Sequence, residues 1–354
     1  MKKVLVCGYF GFGNAGDELI LDSIVSGLSA ETAGAEFSVM YRKPFRPFCR
    51  VPVKVVDRWN PLSVLSAIQE TDLLVCGGGL FQDITSSLSL WYYCAVILAA
   101  KAFRKKTLLF GVDFAPVSKN KNKRLLNKVL RLVDKICVRS EGSLKFLEEI
   151  GVRGNVLLTA DAVLNYPYSG AKRRAAGLSR VGLILKKKKG PSGSREEPID
   201  SAVEMCNAIR SRLNAEIVFI PFHLDRDFDI SVEVAGKLKF SATVARWQNP
   251  RDLFEIMKGT DFILSQRYHG LVIGAMLNLP VMGISNDKKL EYFFNELGQK
   301  HLLLDSIDQD KIADIMNTVW EWRSDYTSLL EKNLAKMRCR AFLNITQGAQ
   351  LLNN

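Results

Sequence analysis

Long apolar runs, paired cysteines and histidines are all scarce in this chain, and each scarcity removes a class of function. The most apolar stretch, Leu88 to Ala100 (LSLWYYCAVILAA), falls short of the roughly 20 residues that a membrane-spanning helix needs. The opening MKKVLVCGYF sets only three apolar residues before Cys7, too few for the apolar region of a secretion signal. The seven cysteines are scattered and form no CxxC pair, which argues against a zinc ribbon or a thioredoxin-type centre. They read as small buried hydrophobes in a reducing compartment. The chain is therefore expected in the cytoplasm. HExxH, GxSxG and a GK[ST] phosphate loop are missing, so no metal and no serine nucleophile is expected. No nucleic-acid-binding module is recognisable, and no nucleic acid partner is expected.

What the chain does have is positive charge. A formal charge of +12 on 354 residues implies an anionic partner such as an acidic membrane face or a phosphorylated substrate. The basic residues gather in Lys101–Lys106, Lys119–Arg131 and Lys172–Lys189. Such runs are also what an ordinary solvated face looks like, so they do not decide between partners.

Short β-rich runs alternate with helical patterns, which predicts parallel sheets wound on both faces by helices. Strands are expected at 4–9, 36–41, 53–57, 72–79, 107–112, 135–140 and 155–161. Leu21, Ile24, Val25 and Leu28 fall on one face of a helix after the first of them. The pattern breaks into Pro, Gly and basic residues at 166–180, then restarts at 181–186, 216–222, 242–246, 261–267, 279–285 and 301–305. The reading is an α/β protein of two Rossmann-like doubly wound domains, glycosyltransferase-B-like, with a central cleft. Domain limits of 1–165 and 181–320 are expected, with a linker at 166–180 and a helical segment at 321–354 crossing back to the first domain. The lysine-rich loop 186–197 reads as mobile.

Only three histidines occur, and one of them, His269, sits in the segment ILSQRYHGLVIG (263–274). That segment reads as a buried strand ending in Arg267 and His269 just as a helix begins. Such a strand end faces the ligand crevice of an open α/β sheet, and the helix start favours an anion. Arg267 adds a planar fork for phosphate or carboxylate, and His269 an imidazole, a side chain able to give or take a proton. A structural pairing of Arg267 with a carboxylate, and helix capping by His269, is the plainer alternative. After the first strand, GYFGFGNAGDELIL (8–21) brings glycines and Asp17 to another helix start. Asp17 either caps that helix or handles a sugar hydroxyl. Gly77, Gly78 and Gly79 follow a strand where a ligand can approach the backbone, with Gln82, Asp83 and Thr85 available to hydroxyls. Trp91, Tyr92 and Tyr93 line a sugar site or belong to the core. The segment IPFHLDRDFD (220–229) lacks the glycine and final glutamate of a calcium loop, and reads as a helix start.

These motifs carry a resemblance. GFGNAGDELIL, GGGLFQD, VRSEGSLKFLEEIG (138–151), SQRYHGLVIGAM and ISNDKKLEYF are similar to the polysaccharide pyruvyltransferase family. Within it, they are most like the bacterial enzymes that pyruvylate cell-wall polymers for S-layer anchoring. The likeness runs from residue 3 to about residue 345. It implies transfer of the pyruvyl group of phosphoenolpyruvate, the donor substrate, to a sugar as a 4,6-ketal with release of phosphate and no cofactor. The acceptor it implies is β-N-acetylmannosamine of a lipid-linked cell-wall precursor.

Carried onto this sequence, the resemblance makes His269, Asp17 and Arg139 catalytic. It sets Arg267, His269, Lys289 and Lys186 at phosphoenolpyruvate. Asp17, Asn14, Gly78, Gly79, Gln82 and Asp83 fall to the sugar acceptor. Lys186 stands where the family commonly has arginine, GVDFAP (111–116) replaces a GxGP-like turn, and Asp161-Ala162 replaces an Asp-Pro. A nucleotide-sugar glycosyltransferase on the same fold is the alternative enzyme, though it would want an acidic residue for a ribose. A basic, non-catalytic adaptor is the alternative outside enzymes. The charge also suits a peripheral contact with anionic membrane, where a lipid-linked acceptor sits.

Overall fold

The structure is a computed structural model. It describes residues 1–83, 86–114, 117–168, 177–187 and 199–354, and of Gln309 the backbone alone. Thr85, the end of the GVDFAP turn, most of the expected linker and the loop beyond Lys187 lie outside the described residues. The chain divides into two compact units. Unit 1 holds Met1–Pro167 and Lys336–Asn354, and unit 2 holds Tyr168–Ala335.

Unit 1 contains strands β1 (Lys3–Cys7), β2 (Glu36–Tyr41), β3 (Val53–Asp57), β4 (Leu73–Gly77), β5 (Lys106–Val112), β6 (Lys135–Val138) and β7 (Val156–Leu158). Its helices are α1 (Ala15–Glu31), α2 (Pro61–Glu70), α3 (Ser87–Ala102), α4 (Asn120–Leu130) and α5 (Glu141–Glu149). Unit 2 contains β8 (Arg180–Ile184), β9 (Glu216–Phe219), β10 (Thr243–Val244), β11 (Phe262–Ser265), β12 (Val281–Ile284) and β13 (Leu303–Leu304). Its helices are α6 (Ile199–Leu213), α7 (Arg226–Lys237), α8 (Asp252–Lys258), α9 (Tyr268–Met276), α10 (Lys288–Glu296) and α11 (Gln309–Glu321). The last helix, α12 (Arg323–Asn353), begins in unit 2 and ends in unit 1.

The sheets run β3-β2-β1-β4-β5-β6-β7 and β10-β9-β8-β11-β12-β13. Every pairing is parallel. Both orders are those of a doubly wound fold, whose winding reverses between β1 and β4 and between β8 and β11. The central strands are apolar on both faces because helices cover both. Leu73, Leu74, Val75 and Cys76 of β4, for example, are all buried.

The opposite, amino-terminal edges are closed by one device used twice. Asp72, just before β4, accepts the backbone N–H of Lys3 at 2.8 Å. Asp261, just before β11, accepts the N–H groups of Ser179 and Arg180 and the Ser179 hydroxyl at 2.8–2.9 Å. Each carboxylate thereby registers the fourth strand of its unit against the first.

Within unit 1, the end of α12 is fixed by Asn344, which is fully buried. Its amide donates to the carbonyl oxygens of Ala160 and Ala341 and accepts from the Thr159 hydroxyl. Leucine at this position would remove the donor from Ala160 and leave buried polar groups unmet. Asn344→Leu is expected to lower the stability of unit 1 by about 1–3 kcal/mol, read as a drop in its urea midpoint with an unchanged slope.

Candidate functional site

In unit 2 the polar residues of the second sheet gather at the carboxyl ends of its four central strands. Lys186 follows β8, His223 follows β9, Arg267 and His269 follow β11, and Asp287 and Lys289 follow β12. The strand order β9-β8-β11-β12 makes these ends neighbours. The Lys186 backbone N–H donates to Gln266 Oε1 at 2.8 Å, tying the ends of β8 and β11 together across the winding reversal.

Arg267 is the first residue outside α9, and its own side chain does not cap that helix. Its guanidinium forks onto Asp227 of α7, Nε to Oδ2 at 2.9 Å and Nη2 to Oδ1. Asp227 is fully buried and also accepts the His223 N–H at 3.0 Å. The sequence segment that reads only as a helix start therefore supplies the carboxylate that orients Arg267. The spacing His223-x-x-x-Asp227 after a strand was the available signal, but nothing local tied it to a residue 40 positions later.

His269 occupies the first turn of α9, its ring edge-on to Tyr268 with centroids 5.2 Å apart. The helix starts this close to the sheet because residue 270 is glycine. A Cβ there would stand 2.5 Å from Ile184 Cδ1 and 2.6 Å from Ser265 Oγ. Lys289 lies in the first turn of α10, 3.1 Å from Asp287, whose other oxygen caps the helix.

The charges here feel one another. Burial lowers the pKa of the Lys186 ammonium, and the like charges of Lys289 and Arg267 lower it further against the pull of Asp287 and Asp227. Burial likewise lowers the His223 imidazole, with Asp227 opposing and Arg226 and Arg267 reinforcing. Three cations beside a helix start on one sheet edge make a surface suited to an anion.

In unit 1 the two glycine loops meet, as the pairing of Cys7 with Cys76 requires. Asn14, not Asp17, caps α1 by accepting the Gly16 N–H, and the Asn14 amide donates to Asp17 Oδ2. Asp17 Oδ1 lies 3.6 Å from the place a Cβ on Gly78 would take, and Gly78 has φ +96°. Gly79 is exposed, with open space where a side chain would be. Asn14, Asp17, Gly78 and Gly79 thus share one patch, with half-buried Gln82 following β4.

The loop is braced by a residue not singled out in the sequence. Glu18 is buried, accepts the Gly11 N–H at 2.7 Å and the Tyr41 hydroxyl at 2.9 Å, and holds Gly11 at φ +83°. Burial pushes its carboxyl up to about 7. Arg58, also buried, donates to the Gly8 carbonyl at 2.7 Å from the other side.

Three expected sugar-site or catalytic residues make structural contacts. Asp83 is buried, and its carboxylate takes the N–H groups of Ser118 and Lys119, the Ser118 hydroxyl and the Asn122 amide. Those donors outweigh the effect of burial and hold it down near about 2. It ties the segment before α4 to the loop after β4, so its oxygens are occupied. Arg139 is buried between Asp113 and Asp161, bridging the ends of β5, β6 and β7. It clamps those strand ends rather than projecting from them. Tyr93 is core, whereas Trp91 is 41% exposed. Among the described residues no cluster of His, Cys, Asp and Glu is arranged to hold a metal ion.

Two doubly wound α/β units in succession, with their polar residues on the carboxyl edges of both sheets, define a glycosyltransferase-B-type fold. Solved structures agree. The UDP-GlcNAc 2-epimerase of Neisseria meningitidis bound to UDP-GlcNAc superposes with a TM-score of 0.66 at 13% identity, covering 100% of both chains. The S. aureus MnaA–UDP structure gives 0.62 at 11% identity, covering 94% of this chain and 91% of that one. A UGT transferase of Siraitia grosvenorii in complex with UDP gives 0.62 at 12%, covering 100% of both. At such identities the likeness is one of fold. No curated protein sequence gives a significant match. The family signature of polysaccharide pyruvyl transferases matches residues 14–288, and the chain belongs to that family. It is thus a pyruvyltransferase acting on polysaccharide.

Two outcomes test this geometry. Asp227→Ala would strand the Arg267 guanidinium, and the expected loss is about 3 kcal/mol of unit 2 stability, read by thermal unfolding. Glu18 binds its proton more tightly folded than unfolded, so unit 1 should lose stability as pH rises from about 4.5 to about 7. Glu18→Gln should flatten that slope, which amounts to about 3 kcal/mol at most, in melts taken across the same pH range.

Proposed function

We propose that the protein transfers the pyruvyl group of phosphoenolpyruvate to a sugar, forming a 4,6-ketal and releasing phosphate. The acceptor in this reading is β-N-acetylmannosamine of a lipid-linked cell-wall precursor, of the kind used for S-layer anchoring. The observation that carries it is the convergence of Lys186, Arg267 and Lys289 beside the start of α9, which bears His269. Phosphoenolpyruvate carries close to three negative charges, and removing them from water requires several fixed cations and oriented N–H dipoles.

The chemistry balances with two sugar hydroxyls. The donor's methylene carbon gains a proton, C2 becomes electrophilic, and one hydroxyl oxygen bonds to it. The C2–O bond to phosphate then breaks and the second hydroxyl oxygen takes its place. One hydroxyl proton ends on the new methyl group and the other on phosphate. His269 is the group suited to proton delivery at the methylene or the leaving phosphate. Arg267, held rigid by Asp227, is suited to a carboxylate or phosphate, with Lys186 and Lys289 offsetting the remaining charge. Asp17, with Asn14, Gly78, Gly79 and Gln82, is suited to sugar hydroxyls. No cofactor enters the balance. The protein would act at the inner face of the membrane as a peripheral protein. Among the described residues no helix is long and apolar enough to cross a membrane.

The test is incubation with phosphoenolpyruvate and a synthetic N-acetylmannosaminyl acceptor, followed by mass spectrometry for pyruvyl gain and by phosphate release. His269→Ala should cost at least about 100-fold in turnover, and Arg267→Lys should weaken donor binding because lysine cannot fork. Donor affinity should fall with rising pH earlier than an ordinary lysine would dictate, since the Lys186 charge is lost below its usual range. A preference for a UDP-sugar donor, with no pyruvyl gain, would sink the reading in favour of glycosyl transfer.

A further inference from the structure

Unit 1 carries a ladder of aromatic rings and guanidinium groups that starts in its glycine loop and runs outward from buried Arg58 to exposed members. Tyr9 stacks on Phe12 with centroids 4.1 Å apart. Arg42 lies over Phe12 at 5.3 Å and over Phe45 at 5.5 Å. Arg58 also lies over ring faces of the ladder, 5.1 Å from Phe12 and 5.3 Å from Trp59. The outermost members are open to solvent. Phe45 is 54% exposed, Trp59 63%, and Leu62, in the first turn of α2, 78%. Lys43 and Arg46 flank Phe45 and are themselves exposed.

A soluble surface seldom leaves such residues together without a use. Rings that sit half in water, aliphatic side chains at the tip and cations at their flanks are the composition of a surface that enters the headgroup region of a bilayer. Protein partners that recognise aromatic patches do not need the flanking cations, and polyanions in solution do not need Phe45, Trp59 and Leu62. Both features are satisfied together by anionic lipid. The basic side chains would meet the headgroups while the rings reach the acyl boundary.

We infer that the segment Arg42–Phe48, with Trp59 and Leu62, docks unit 1 onto an anionic lipid bilayer. This rests on the reading of a lipid-linked acceptor for its purpose, but not for its test. None of Phe45, Trp59 or Leu62 belongs to the candidate site, so docking and chemistry are separable.

The experiment is co-sedimentation of the full chain with vesicles of phosphatidylglycerol and phosphatidylethanolamine, against phosphatidylcholine vesicles. Binding is expected to the anionic vesicles only and to weaken with salt. Phe45→Ser/Trp59→Ser should reduce it at least about tenfold, with pyruvyl transfer to a water-soluble acceptor unchanged. Lys43→Glu/Arg46→Glu, confined to exposed side chains, should reduce it comparably and guards against a misfolded aromatic variant. The inference is overturned if the wild-type chain does not bind anionic vesicles. It is equally overturned if the aromatic variant binds as well as the wild type, which would mean charge alone acts. Failure of pyruvyl transfer in the wild type would instead count against the proposed function and leave the vesicle result standing.

Discussion

Parallel pairing of the strands is the constraint on which the candidate site depends. It places every strand's carboxyl end on one edge of its sheet. Where the winding reverses, between β1 and β4 and between β8 and β11, the helices that follow diverge to opposite faces and leave that edge uncovered. Asn14, Asp17 and Gly78 come together in unit 1 for this reason, and Lys186 and Arg267 in unit 2. Each pair is close only because its strands, far apart in sequence, are neighbours at a reversal.

Charge at these edges is then managed in two ways. Arg139 is fully enclosed by Asp113 and Asp161, so its charge is spent on holding three strand ends. Arg267 also has a buried carboxylate, but 19% of its side chain remains exposed. The fork onto Asp227 fixes its plane while leaving part of the guanidinium facing outward. Lys186 and Lys289 stand near it without comparable enclosure. Burial, and after it the repulsion from Lys289 and Arg267, lowers the Lys186 pKa, and an anion at this edge would relieve the repulsion.

Periodicity made the strands legible. Among the described residues all thirteen fall inside or within a residue of the segments that the alternation of β-rich runs marks out, the central ones most clearly because a strand buried on both faces is apolar along its whole length. The junction that carries Arg267 and His269 was legible too, since local pattern reveals the strand giving way to a helix there. Side-chain partners were not. Asp83 reads as a hydroxyl ligand from its place after three glycines, yet it turns to donors at 118–122. Asp227 reads as a helix start, yet it orients Arg267. Glu18 looks like one more acidic residue in a first helical turn, yet it bonds backward to Gly11. In each case the partner is chosen by the strand order or by the path of a loop, and neither leaves a periodic trace in sequence.

The arginines of the aromatic ladder follow a different rule from those of the sheet edges. Among the described residues neither Arg42 nor Arg58 has a carboxylate partner. Rings face both, and Arg58 is further held by the Gly8 carbonyl and the Tyr93 hydroxyl. A carboxylate partner would neutralise the guanidinium, whereas a ring stabilises it through its quadrupole and leaves the net charge in place. Around exposed Arg42 the surface therefore stays positive while presenting apolar area, and Arg58, which is buried, braces the rings. With a carboxylate opposite Arg42, the same rings would carry less positive charge and a weaker preference for anionic lipid. The choice of ring over carboxylate is what gives this face of unit 1 both its charge and its apolar reach.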